Sequence, residues 1–162
     1  MSKQRSPLFT WMLVGFVLIL VGVAALYILW PQIQPSTTLR LGDGVFKTRV
    51  ARTPDEREQG LSNTAKLRDD QALLFVFGTD EKWSIWMRDM NYPIDIVWLD
   101  KDKKVVHIVK NAPPESYPDE SFVSKENARY VVELLAGTAD KKAIKIGGKA
   151  SFDENNLEGF KS

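Results

Sequence analysis

Positions 8 to 30 hold no charged residue, and this run constrains the chain's fold more than any other feature. Twenty-three residues at a rise of about 1.5 Å each are long enough to reach across a hydrocarbon core of about 30 Å. Fourteen of them are Leu, Ile, Val or Phe, which favours insertion. A single transmembrane signal anchor over 8–30 is therefore expected. A cleaved leader has an apolar stretch of only about 7–15 residues followed by a small-x-small site. Here Ala24 and Ala25 lie well inside the run, so the anchor is expected to stay uncleaved. Trp11, Tyr27 and Trp30 occupy interfacial positions, and Pro31 stops the helix. Lys3 and Arg5 make residues 1–7 a cytoplasmic tail and place the C-terminal domain outside the cytoplasm. The expected location is the cell membrane, single-pass, with the lipid bilayer as a partner through 8–30. Pro31 and Pro35 mark 31–37 as a linker.

The remainder, a domain over 38–153 with a flexible tail at 154–162, has the size of one domain. The chain has no cysteine, which removes disulfides, thiolate metal sites and thiol nucleophiles. Of the 22 basic residues only Lys3 and Arg5 precede the apolar run, so the domain is close to neutral. Its charges alternate in sign, as at Asp100-Lys101-Asp102-Lys103, and no basic face for nucleic acid is expected.

Short apolar runs punctuated by turn residues predict a strand-rich domain. Phe46, Thr48 and Val50 alternate with Lys47, Arg49 and Ala51, and Gly42-Asp43-Gly44 predicts a hairpin with 37–41. Thr53-Pro54-Asp55-Glu56 reads as a capping box opening a short helix to Gln59, closed by Gly60. Further strands are expected at 72–77, 83–87, 94–99, 105–109 and 130–135. A helical turn is expected at 138–143, and Gly147-Gly148 marks a turn into 150–152. Residues 112–127, with Pro113, Pro114 and Pro118, read as a long loop that is either functional or a surface excursion. Tyr92-Pro93 is a candidate cis bond.

In order, the motifs are Thr53-Pro54-Asp55-Glu56-Arg57, Gly60-Leu61, Leu74-Phe75-Val76-Phe77, Trp86-Met87-Arg88-Asp89, Pro93-Ile94-Asp95-Ile96, and Glu133-Leu134 with Ala136-Gly137. This succession closely resembles the bacterial and archaeal domain of unknown function 192 family over about 48–152. The resemblance implies a small, mainly β, barrel-like domain, often exported or membrane-anchored, with no established reaction. The chain departs from the family pattern at Ser62, where Met commonly follows Gly-Leu, and at Ile85, where an aromatic commonly precedes Trp-Met. The expected fold is α+β and mainly β: a barrel-like antiparallel or mixed sheet with one or two short helices, preceded by the transmembrane helix.

Trp86, Arg88, Asp89, Asp95 and Glu133 are the candidate ligand-binding residues. Two large apolar groups stand beside a cation, and Asp95 or Glu133 would hold the Arg88 fork. The competing reading is a structural Arg-carboxylate pair inside the barrel. Thr53, Glu56, Gly60, Pro93 and Gly137 are expected to be structural, and Arg57 to snorkel over the helix start. Trp83, Trp86, Tyr92 and Trp98 either stack on a sugar or fill the core. His107, the only histidine, reads as a strand residue with a structural hydrogen bond, so no metal or cofactor is expected. The leading functional expectation is a binding module for a cell-envelope component, through a ligand or a protein partner. The alternatives are an envelope hydrolase using Asp95 or Glu133 as acid or base, which requires a raised carboxylate pKa in a cleft, and a structural domain without a site.

Overall fold

The computed structural model describes residues 7–29 and 36–154, and within the first segment the side chains of Trp11, Met12 and Val14 to Ala25. The two segments belong to separate units, divided between Gln34 and Pro35. The tail over 1–7 (Pro7 apart), most of the 31–37 linker and the 154–162 tail after Glu154 lie outside the described residues.

In the first unit α1 spans Pro7–Leu29. The transmembrane assignment of this helix is corrected. Among the described residues no helix is long and apolar enough to cross a membrane. The bilayer partner and the single-pass topology rested on that span.

The second unit is mainly β, with a mixed sheet and short helices. β1 (Ser36–Leu41) and β2 (Gly44–Ala51) form the expected hairpin, and Ser36 and Thr37, assigned to the linker from sequence, belong to its first strand. Gly42 holds the turn at φ +56°, and a Cβ there would lie 2.2 Å from the Lys142 carbonyl oxygen, so both backbone shape and space require glycine. The chain then crosses over through α2 (Pro54–Gln59) to β3 (Gln71–Glu81), which pairs parallel to β2. The capping box is complete: the Glu56 amide donates to Thr53 Oγ1 at 3.2 Å, and the Glu56 carboxylate accepts from the Thr53 amide at 2.9 Å. Thr53→Ala is expected to cost about 1 kcal/mol in a urea titration, the usual worth of such a cap.

β5 (Ile94–Leu99), β6 (Val105–Ala112) and β8 (Ala128–Leu135) complete a six-stranded sheet ordered β1-β2-β3-β8-β5-β6. β5 falls where its apolar run was expected. The expected strand at 83–87 shrinks to β4 (Ser84–Ile85), paired with β7 (Phe122–Val123) inside the 112–127 segment. That segment also holds a 3-10 turn at Pro114–Ser116 and the cis bond, which joins Tyr117 to Pro118; the Tyr92-Pro93 bond expected to be cis is trans. α3 (Thr138–Lys141) follows Gly137 at φ +82°.

Period-two alternation gives the sheet two apolar faces. Leu39, Phe46, Val50, Leu74, Val97 and Val132 pack on one, beneath Ala139, Ile144 and Phe152. On this side the chain end links the outer strands: Ser151 bridges Arg40 of β1, and Lys149 bridges Lys104 just before β6. The sheet is thus curled and partly closed, as a barrel-like fold requires. Leu73, Phe75, Ile94, Ile96, Trp98 and Val131 form the other face, and Leu61, Met87 and Tyr92 pack over it.

Candidate functional site

The second face carries the site. Register aligns Arg49 of β2 with Leu73 of β3, Leu73 with Glu133 of β8, and Glu133 with Ile96 of β5, placing two ionisable side chains in one row of an apolar sheet. The row is roofed by the end of α2 with residues 60–62, and by the segment 84–90. Between roof and sheet lies a cavity of about 420 Å³. Leu61, Phe75, Phe77, Ile85, Trp86 and Met90 supply its apolar wall; Arg57, Glu58, Ser62, Ser84 and Glu133 supply polar groups.

Glu133 is only 4 % exposed, and its Oε2 has no hydrogen-bond partner among the described residues. Burial raises its pKa to about 8, with Arg49 acting in the opposite sense. The carboxyl is therefore protonated near neutral pH and can donate as well as accept. Burial lowers the pKa of Arg49, while Glu133, Tyr92 and Glu56 pull it back up. Its Nη2 donates to the Gly60 carbonyl at 2.5 Å, fixing the turn that leaves α2.

Arg57 is aimed by its backbone partners. Nη1 donates to the Arg52 carbonyl and, at 3.2 Å, to the Val76 carbonyl, and the guanidinium lies 5.2 Å from the centre of the Phe77 ring. Trp83 stacks on Phe77 at 3.9 Å. At the mouth Trp86 is 46 % exposed, with Arg88 4.7 Å over its ring. Arg88 also pairs with Glu58 at 3.2 Å. Two hydrogen bonds to backbone carbonyls hold the roof together: Ser62 Oγ donates to the Arg88 carbonyl at 2.7 Å, and the Asn63 amide to the Asp89 carbonyl at 2.8 Å.

Of the residues expected to form the site, Trp86 and Glu133 line the cavity and Arg88 stands beside it. Asp89 contributes its carbonyl, with its side chain exposed. Asp95 is elsewhere. It pairs in register with Leu134, one position from Glu133, and so faces the opposite side of the sheet. There it accepts from the Asn111 amide at 2.9 Å and the Ala139 amide at 2.7 Å. Pro93 accepts from the Ala136 amide, and Gly137 supplies the left-handed residue before α3. His107 packs at 5.2 Å from the Trp98 ring, and burial with Lys125 nearby lowers its pKa. Phe75, Phe77 and Met90 line the cavity without having been singled out by sequence reasoning, and Arg57, expected to snorkel over the helix start, lines it too. The alternation of Leu73, Phe75 and Phe77 on one side of β3 was the available signal for the two rings.

The DUF192 family model, described as an uncharacterized ACR, matches residues 37–152. A UPF0127 protein of Thermococcus sibiricus is 28% identical over 109 residues, 66% of each chain. Among solved structures, a protein of Sinorhizobium meliloti described as a proposed transcription regulator superposes with a TM-score of 0.70 at 27% identity, covering 74% of this chain and 95% of that one. A protein of unknown function from Novosphingobium aromaticivorans gives a TM-score of 0.65 at 28% identity, covering 72% and 83%.

Proposed function

The chain belongs to the DUF192 family, and from that premise we propose that its domain is a small-molecule binding module whose site is the aromatic cavity over Glu133. The observation that carries this reading is the buried Glu133 carboxyl on the wall of an open apolar cavity, its Oε2 without a hydrogen-bond partner among the described residues. Buried polar groups are nearly always satisfied by protein or by ordered water. One without a protein partner, beside enough space for a small molecule, offers a guest a hydrogen bond, and the cavity volume falls in the range of small-molecule sites, roughly 300–1,000 Å³. The envelope as the source of that partner rested on the anchor, so the ligand is described by chemistry and not by place. The Sinorhizobium relative's regulator description does not extend the reading to DNA, because the domain's charges are balanced and interleaved.

A second reading has one observation in its favour. An acid or base for hydrolysis needs a carboxylate titrating near neutrality inside a cleft, and Glu133, at about 8, has that property. Asp95, the other carboxylate expected in that role, faces away. Glu58, at the mouth, is paired with Arg88. Binding is therefore the reading preferred.

Titrating the full-length chain with indole while following backbone amides tests the site. Saturable shifts confined to 57–62, 84–90 and the neighbourhood of Glu133 are expected. Shifts spread evenly over the surface, or none at all, overturn the proposal.

A further inference from the structure

The charges around the cavity select among ligands, on the footing that it is a ligand site. Arg57 lies on its wall, Arg49 sits in the row beneath it, and Arg88 stands at its mouth. Few negative charges oppose them. Glu58 is held by Arg88, and the Glu56 carboxylate accepts the Arg52 and Thr53 amides at the start of α2. Tyr92 is hydrogen-bonded to Thr64 and Ala65. With the Arg88–Glu58 pair self-compensating, Arg57 is the cation left facing the cavity, and Arg49 adds positive charge beneath it. A cationic guest would meet Arg57 directly, and the ring faces that would attract it already carry guanidinium groups, Arg57 on Phe77 and Arg88 on Trp86.

We propose that the cavity takes a small organic acid with a ring-sized apolar body, its carboxylate gripped by Arg57 and its body lying against Leu61, Phe75 and Ile85 within reach of Glu133. Arg57 is pre-organised for this, because both of its backbone acceptors take Nη1, and a planar fork held by one nitrogen presents its remaining donors in a fixed direction. Glu133 then acts as donor to an acceptor on the ligand. Its ionisation places a negative charge beside the guest, so affinity for the acid falls as pH rises through about 8.

Three probes sharing one ring system separate the charge class from the existence of the site: indole-3-acetate, indole-3-acetamide and tryptamine, each titrated into the full-length chain at pH 6.5 with amide shifts as readout. The acetate is expected to bind at least about tenfold tighter than the amide, with no saturation by tryptamine. In Arg57→Gln the acetate is expected to lose its advantage over the amide, the ratio of the two affinities falling to about one, and Arg57→Lys, which keeps the charge, is expected to retain part of it; a ratio unchanged in Arg57→Gln overturns the assignment of the carboxylate to Arg57. Equal affinities across the three probes, or tightest binding by tryptamine, overturn the organic-acid assignment and leave the cavity a ligand site. No saturable shift from any probe overturns both.

Discussion

Replacing Asp95 by alanine is expected to lower the unfolding free energy of the domain by about 3–4 kcal/mol, near the upper end of what single substitutions cost. The side chain is 0 % exposed, and its two oxygens serve two different parts of the chain. Oδ1 accepts the Asn111 amide near the end of β6, where φ is +54° and the pairing with β5 shifts register. Oδ2 accepts the Ala139 amide in the first turn of α3. Truncation leaves the buried Ala139 amide without a partner and strips the part-buried Asn111 amide of its own, and an unsatisfied buried group costs about 1–3 kcal/mol. Asp95→Asn keeps one acceptor oxygen and turns an amide nitrogen towards the other N–H, so a smaller loss is expected. Urea unfolding reads both variants through the shift in midpoint at constant slope. A loss below about 1 kcal/mol for the alanine variant would mean that water or a rearranged loop replaces the carboxylate.

Asp95 also marks where sequence stopped being sufficient. Residue types singled out Trp86, Arg88 and Glu133, and all three gather at one cavity. Asp95 was grouped with them as a carboxylate able to hold the Arg88 fork, and nothing along a single chain reveals cross-strand register. In the sheet Glu133 pairs with Ile96 while Asp95 pairs with Leu134, and that offset of one residue puts the two carboxylates on opposite faces. Local signals were more dependable. The capping box, the Gly42 turn and the 94–99 strand depend on neighbours in sequence, and each stands where the pattern put it. The 83–87 strand was shortened by tertiary demand: Trp83 is drawn onto Phe77, Trp86 onto Arg88, and only two residues find a strand partner in 122–123. Arg57 was assigned to the helix start, whereas β3 supplies the Val76 carbonyl and the Phe77 ring that turn it into the cavity. Ser62 and Ile85, the two departures from the family pattern, both line the same wall.

The Glu133 carboxyl is expected to make the domain less stable as pH rises from about 4.5 to about 8. That contribution is read as the difference between the chain and Glu133→Gln, since His107, its pKa lowered by burial, acts in the opposite sense below about 6.5. Below pH 4.5 the carboxyl is protonated whether the chain is folded or not, so it contributes no pH dependence. Between 4.5 and 8 the unfolded chain releases the proton while burial keeps it on the folded one, and the folded state binds more protons, so rising pH favours unfolding. Above about 8 both forms are ionised and the full penalty applies. Each tenfold change in proton affinity between the two states is worth about 1.36 kcal/mol, so the penalty is roughly 5 kcal/mol at most, less whatever water the cavity admits. Urea midpoints of the two chains at pH 5, 7 and 9 measure it directly, and a flat difference between them would show that the carboxyl is hydrated or paired in solution. Glu133→Met carries the argument further, since an apolar side chain of similar length removes the buried unpaired acid outright. It is expected to stabilise the domain by about 1–3 kcal/mol at pH 9 and, at pH 6.5 where the protonated carboxyl donates, to weaken binding of indole-3-acetate. A residue whose removal stabilises the fold has no structural reason to be where it is. Stability gained together with binding lost would identify Glu133 as a group held in the sheet for a ligand's sake.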